Sequence, residues 1–192
     1  GESVPLHSML YRVGAGCESA PLYSFGDGGA SFTASGIPAL QQRATDFHAI
    51  AITASNPATG AFRTITEHFH TLADRTVTLG AAMPIPTITT LAGPYKRLQA
   101  VYTLPADFNL VTQFTYSGSV NSVTMIATLG YLGGQATTLA FADYSGLAGW
   151  DNNWAPPTTD TGTWTTEATG GTLGSLCTEN ANRKVALVSG PF

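Results

Sequence analysis

Charge is what this chain has least of. Only 10% of its 192 residues are Asp, Glu, Lys or Arg, against about 25% in an ordinary soluble domain. Lys96 and Lys184 are its only lysines, and the formal net charge is -4. No basic surface for a phosphate backbone can be built from such a set, so nucleic acid is not an expected partner. Long apolar runs are missing too: nothing approaches the roughly eighteen consecutive apolar residues that a membrane-crossing helix needs. The opening Gly1-Glu2-Ser3-Val4 has neither the basic start nor the apolar stretch of a signal peptide, so any such segment is expected to have been removed. Helical periodicity is nearly absent, since Pro38–Arg43 and Asp143–Asn153 are the best candidates and both are short. Catalytic signatures are absent as well. There is no Gly-x-Ser-x-Gly and no His-Glu-x-x-His, and Gly26-Asp27-Gly28-Gly29 opens no helix that could cradle a phosphate. No enzymatic activity and no cofactor are expected.

What the chain does have is Thr, Ala, Gly, Ser and β-branched residues in short lengths. Threonine suits a strand while offering a hydroxyl to water, so this composition predicts sheets with neutral, hydroxyl-rich outer faces. Strand patterns fall near Leu6–Val13, Ala30–Ala34, Phe47–Ala54, Phe62–Phe69, Thr76–Leu79, Thr87–Leu91, Tyr95–Leu104, Leu110–Tyr116, Val120–Leu129, Thr137–Phe141, Gly162–Ala168 and Lys184–Val188. Their spacing of roughly 8–14 residues, with Gly, Pro and Asn between, predicts an all-β fold: antiparallel β-sandwiches, immunoglobulin-like or related, of about twelve short strands. Pro84 and Pro86, then Leu91-Ala92-Gly93-Pro94, interrupt the pattern. They suggest an N-terminal sandwich over residues 1–92 and a C-terminal one over 93–192, or one large two-sheet domain if the halves share a core.

Two cysteines, Cys17 and Cys177, stand near opposite ends in Gly/Ser-rich surroundings. They read either as unrelated thiols or as one disulfide closing a loop of about 160 residues, worth roughly 4–5 kcal/mol in the chain-entropy view. The bridge would imply an oxidising compartment.

Three groups of side chains could carry function. His68 and His70 alternate with Phe69, and a hairpin turning near residue 58 would set His48 opposite His68. Three imidazoles on one face could then hold a divalent metal, or else decorate a half-exposed strand. Trp150, Trp154 and Trp164 gather with Tyr144 around Asp151 and Asn152. These rings could plug the end of a sandwich, anchor a protein interface, stack on a sugar or lie against lipid headgroups. Asp143, Asp151 and Asp160 could form an acid pair or hold calcium, or be ordinary solvated and capping loop residues.

The runs Phe62-Arg63-Thr64, Ala73-Asp74-Arg75-Thr76-Val77-Thr78-Leu79-Gly80, Pro94-Tyr95-Lys96-Arg97-Leu98-Gln99-Ala100, Leu129-Gly130-Tyr131-Leu132-Gly133-Gly134 and Asp143 to Asp151 together resemble envelope lipoproteins of Gram-negative bacteria. That resemblance implies β-sandwich modules placed beyond a lipidated N-terminal Cys, in the periplasm or outside the cell. Here Cys17 is internal. The chain is also similar to what an accessory, pigment-free periplasmic subunit of a photosynthetic reaction-centre and antenna complex would look like.

The expectation is therefore a non-enzymatic structural or interaction module outside the inner membrane. Its partners would be protein subunits of a larger envelope or membrane complex, and its contacts Tyr144, Trp150, Asp151, Asn152, Trp154 and Trp164. The alternatives are a carbohydrate-binding module using the Trp150/Trp154 loop and a metal-dependent enzyme using the three histidines.

Overall fold

Side chains on a strand point alternately to opposite faces, and that period of two organises nearly every element here. The structure, a computed structural model, describes residues 2–13, 18–20, 24–26, 31–172 and 178–192, with backbone alone at 4–6, 18–20 and 24–26. Cys17, Cys177 and the Asp27-Gly28-Gly29 turn lie outside the described residues.

Among the described residues there are twelve strands: β1 (Ser3–Val13), β2 (Glu18–Ala20), β3 (Ser24–Gly26), β4 (Phe47–Asn56), β5 (Ala61–Phe69), β6 (Thr87–Leu91), β7 (Arg97–Thr103), β8 (Val111–Ser117), β9 (Ser122–Thr128), β10 (Ala136–Ala140), β11 (Thr163–Gly171) and β12 (Asn182–Pro191). They form two antiparallel sheets packed as a β-sandwich. The large sheet runs β2-β1-β4-β5-β12-β11-β8-β9, with β3 also on β1, and the small one runs β10-β7-β6. A single helical turn, α1 (Leu129–Leu132), follows β9; it is capped by the Thr128 hydroxyl, which accepts from Tyr131 N–H.

The inner face of the large sheet carries Phe114 and Tyr116 of β8, Trp164, Thr166 and Ala168 of β11, and Ala186 and Val188 of β12, all buried. The small sheet answers with Leu98, Ala100 and Tyr102 of β7 and Leu139 of β10, followed by Phe141, in one apolar cluster. Phe114 and Phe141 stack at 4.8 Å across the two sheets. The buried hydroxyls of Tyr102 and Thr112 share a 2.7 Å hydrogen bond, and Thr112 Oγ1 donates to the Glu167 carbonyl. Full burial of a side chain the size of Phe114 contributes roughly 1.5–3 kcal/mol before packing effects. On the outer face, Thr53 and Thr64, and Thr115 and Thr124, meet across strand pairs through hydroxyl hydrogen bonds of 2.8 and 3.0 Å. These pairs place on the outer face hydroxyls of the kind the composition predicts there.

Over β1, β4 and β5 the inner face is covered by irregular chain instead. Residues 31–46 and 70–80 cross it without joining a ladder, which corrects the strands expected near Ala30–Ala34, over its described residues 31–34, and near Thr76–Leu79. The reason is that β1, β4 and β5 already pair on both sides within the large sheet, so these segments meet side chains rather than a backbone edge. Polar residues on the inner face hold them there. Arg75 pairs with Glu67 at 3.0 Å and lies 4.0 Å over the Phe69 ring, Arg63 donates to the Gly80 carbonyl, and His48 accepts from Ile37 N–H. Strands of both chain halves interleave: β5 pairs with β12 from Phe62↔Leu187 to Glu67↔Asn182, and β6 with β7 from Thr87↔Val101 to Leu91↔Arg97. The 92/93 point thus falls between two hydrogen-bonded neighbours.

Candidate functional site: an aromatic cleft at the open side of the sandwich

β9 ends the large sheet and β10 the small one, and both lie on the same side of the sandwich. Between them opens a cleft of about 330 Å³, lined by Val123 and Met125 from β9, Ala140 and Phe141 from the β10 side, and the rings of Tyr95, Tyr144, Trp150 and Trp154. The rings come from the long irregular stretch after β10. Gly149 takes φ of 83°, a left-handed conformation that L side chains rarely adopt, and so turns the chain immediately before Trp150. Trp150 then contacts Tyr95 at 5.6 Å, Tyr144 at 5.1 Å and Trp154 at 5.5 Å between centroids.

The base of this cluster is fixed and its tip is open. Tyr95 is 4% exposed; its hydroxyl donates to the Ala142 carbonyl at 3.2 Å and accepts from Tyr144 N–H at 2.6 Å. Asp151 accepts from Asn153 N–H and caps the 3-10 turn Asn152–Trp154, while Trp150 Nε1 donates to Asn152 Oδ1 at 3.0 Å. Asn121 ties the loop to the β8–β9 hairpin by donating to the Asn153 carbonyl. Trp154 ends outermost, at 62% exposure. Lys96, the charged residue of the lining, donates its amine to the Asp160 carbonyl and faces the rings of Tyr116 and Phe192.

The structure thus brings Tyr144, Trp150, Asp151, Asn152 and Trp154 together and leaves Trp164 out. Trp164 sits on the inner face of β11, buried, with Nε1 donating to the Pro191 carbonyl at 3.1 Å. Its grouping with the other tryptophans is corrected by strand alternation, which points it into the core. Tyr95, Val123, Met125 and Phe141 belong to the cleft but carried no sequence signal for it, because the strands that supply them meet only in three dimensions.

The histidine constellation does not assemble. In the β4–β5 register His48 faces Phe69 and Ala49 faces His68, so a one-residue difference from the expected pairing puts His48 and His68 on opposite faces. His48 Nε2 accepts from Ile37 N–H at 3.0 Å, so Nδ1 holds the proton and donates to the His70 carbonyl at 3.2 Å. Burial pushes its pKa down, and the neutral ring acts as a structural link. His70 donates from Nδ1 to the Asp46 carbonyl. Beside it, the Tyr11 hydroxyl donates to Asp46 Oδ2 and, mainly through burial, has its pKa pushed up to about 12. His68 is fully buried, neither ring nitrogen makes a well-formed hydrogen bond, and burial followed by the Arg12 charge lowers its pKa against a smaller opposing effect of the Ala181 backbone.

The three aspartates also act separately. Asp143 accepts from the Ser145 hydroxyl and pairs with Arg97 at 3.2 Å, Asp151 caps its turn, and Asp160 accepts from the Ser119 hydroxyl. The Ser145 and Ser119 hydroxyls are the main reason the Asp143 and Asp160 pKa values fall. Among the described residues no three His, Cys, Asp or Glu side chains are placed to share a metal ion. A second hollow of about 480 Å³ lies under residues 31–34 and 72–77, against His7, Met9, Ile50 and Ile52. There His7 stacks on Phe32 at 4.5 Å.

No protein-family model, no curated protein and no solved structure matches this chain. No helix among the described residues is long and apolar enough to cross a membrane.

Proposed function

We propose that this chain is a non-enzymatic interaction module of the cell envelope, outside the inner membrane, which seats a protein subunit of a larger membrane-associated assembly in its aromatic cleft. The observation that carries this reading is Trp154: a 62%-exposed indole propped edge-on by Trp150 at the mouth of an apolar cleft. Tryptophan in such a position is a frequent source of binding energy at protein interfaces. The compartment rests on the neutral, hydroxylated composition and on the resemblance to envelope lipoproteins. The photosynthetic complex is the narrower form of the same proposal. The test is to isolate the envelope assembly and ask whether this chain is present in stoichiometric amount, and whether Trp154→Ala removes it. A chain that never rises above trace amounts in any assembly contradicts the reading.

The second reading is carbohydrate binding. Its support is the amide of Asn152 held beside the Trp150 ring, an arrangement that offers a polar partner next to an apolar ring face. Glycan-array screening of the wild type and Trp154→Ala separates the two: a saccharide signal lost on substitution favours the sugar, and no signal favours the protein partner.

A further inference from the structure

The cleft adjoins an open backbone edge, and the ladder shows which groups that edge presents. Gly118 N–H donates to Asn121 O at 3.0 Å and Leu129 N–H to Leu110 O at 3.2 Å. Both pairs lie on the β8–β9 register that sets Phe114 against Met125 and Tyr116 against Val123. In an antiparallel ladder hydrogen-bonded pairs alternate with non-bonded ones. Val123, Met125 and Ala127 therefore spend their backbone groups on β8, and Ser122, Thr124 and Ile126 turn theirs away from it. No strand among the described residues pairs with β9 on that side.

Native sheets usually blunt such an edge with charge, proline, a bulge or a covering segment. β9 reads Ser-Val-Thr-Met-Ile-Ala-Thr, with no charge and no proline, and Ile126 is 63% exposed. The inner-facing residues of the same strand, Val123 and Met125, line the aromatic cleft. A strand added beside β9 would thus bond to Ser122, Thr124 and Ile126 and drop alternate side chains between the sheets, toward Trp150 and Trp154.

From this geometry we infer that β9 accepts an extended segment of a partner protein as an additional strand of the large sheet, with a large apolar side chain of that segment filling the cleft. This rests on the interaction reading above and specifies its mode, which is strand addition. The occupant is a foreign segment rather than a second copy of β9. Val123 and Met125 already pack against their own core cluster, so two β9 strands laid side by side would leave both clefts unfilled. The segment is neutral where it enters, because the one charged side chain of the lining, Lys96, is buried and directs its ammonium to the Asp160 backbone carbonyl and the rings of Tyr116 and Phe192 rather than into the cleft.

The full chain is titrated with a synthetic peptide of about nine residues, a usual strand length, alternating Thr with Phe or Val. The same peptide N-methylated at alternate residues, in both phases, is the control. The inference expects binding by the parent peptide, added hydrogen-exchange protection at the amides of Ser122, Thr124 and Ile126, and at least about tenfold weaker binding by one N-methylated form. Thr124→Pro removes an outward N–H that β8 does not use, so it should weaken binding to the same degree with the unfolding midpoint nearly unchanged. Absence of binding, equal binding by both N-methylated forms, or a concentration-dependent dimer protected at the same three amides would overturn it. The two readings part as follows. If Trp154→Ala abolishes association with the assembly and Thr124→Pro does not, the cleft stands and strand addition falls. If only Thr124→Pro abolishes it, strand addition stands and the Trp154 anchor falls.

Discussion

Trp154 meets Trp150 edge to face, with 5.5 Å between ring centroids and 83° between ring planes. The two indoles divide the work. Trp150 is half-buried against Tyr95 and Tyr144 and organises the loop, whereas Trp154 rests on it and faces outward. Trp154→Ala should cost less than about 1 kcal/mol of stability, as exposed substitutions usually do, and should be felt in binding. Trp150→Ala should cost about 1–3 kcal/mol, because it removes three ring contacts and the Asn152 hydrogen bond. Urea unfolding of both variants checks this order.

The sheets are joined by the Phe114–Phe141 stack, and neither ring is more than 4% exposed. Phe114→Ala should lower unfolding free energy by about 3–5 kcal/mol, since the strands on both sides limit how far the cavity can collapse. Phe114→Leu should cost less. A denaturant series with unchanged m-values would confirm that the loss lies in the folded state.

Acid should destabilise the fold in two stages. His48 and His68 have folded pKa values below the ordinary 6.5, both chiefly through burial. The unfolded chain then binds protons first, so their contribution is full above about pH 6.5 and is lost as pH falls toward the folded values. Asp107 has its pKa lowered first by the Lys184 hydrogen bond and then by Ala81 N–H. Its contribution is present above the ordinary value of 3.8 and disappears as pH falls through the folded pKa. His68→Leu should flatten the first stage. It should also stabilise at neutral pH by about 1 kcal/mol, because it removes two buried ring nitrogens that make no well-formed hydrogen bond. Thermal unfolding between about pH 8 and 5 reads both effects.

Cys17 and Cys177 are proposed to form a disulfide. The described residues that flank them leave the same end of the large sheet: Val13 pairs with Glu18, and Asn180 N–H donates to the His68 carbonyl on β5. Intact mass before and after reduction should differ by two hydrogens. Reduction should destabilise the fold by roughly 4 kcal/mol if loop-closure entropy dominates. Alkylation of both thiols without a reductant would exclude the bridge.

Much of the fold was legible because its determinants are local. Alternation marked the strands, and Asn56 with Gly60 marked the tip of the β4–β5 hairpin, where Asn56 Oδ1 accepts from Ala58 N–H and Gly60 has φ of 62°. Register was less legible. Asn56 pairs with Ala61, one step away from a turn centred on residue 58, and that step sends His68 to the face opposite His48. Thr76–Leu79 has strand composition but meets no backbone edge, which depends on the order of distant strands. The aromatic loop announced itself through Trp150 and Trp154. The other wall of the cleft did not, since Val123, Met125 and Phe141 come together only when the sheets close. Trp164 could have been placed correctly, because Trp164, Thr166 and Ala168 alternate with Thr163, Thr165 and Glu167 as a half-buried strand requires.

The most direct measurement is photo-crosslinking from position 154. The full chain, carrying a photoreactive phenylalanine in place of Trp154, is irradiated within the intact envelope and its products are identified by mass spectrometry. One protein subunit, crosslinked in high yield from position 154 and not from the outer-face position Thr165, is the expected result. Equal crosslinking from both positions, or products confined to the chain itself, would contradict the cleft as the place where this protein meets its partner.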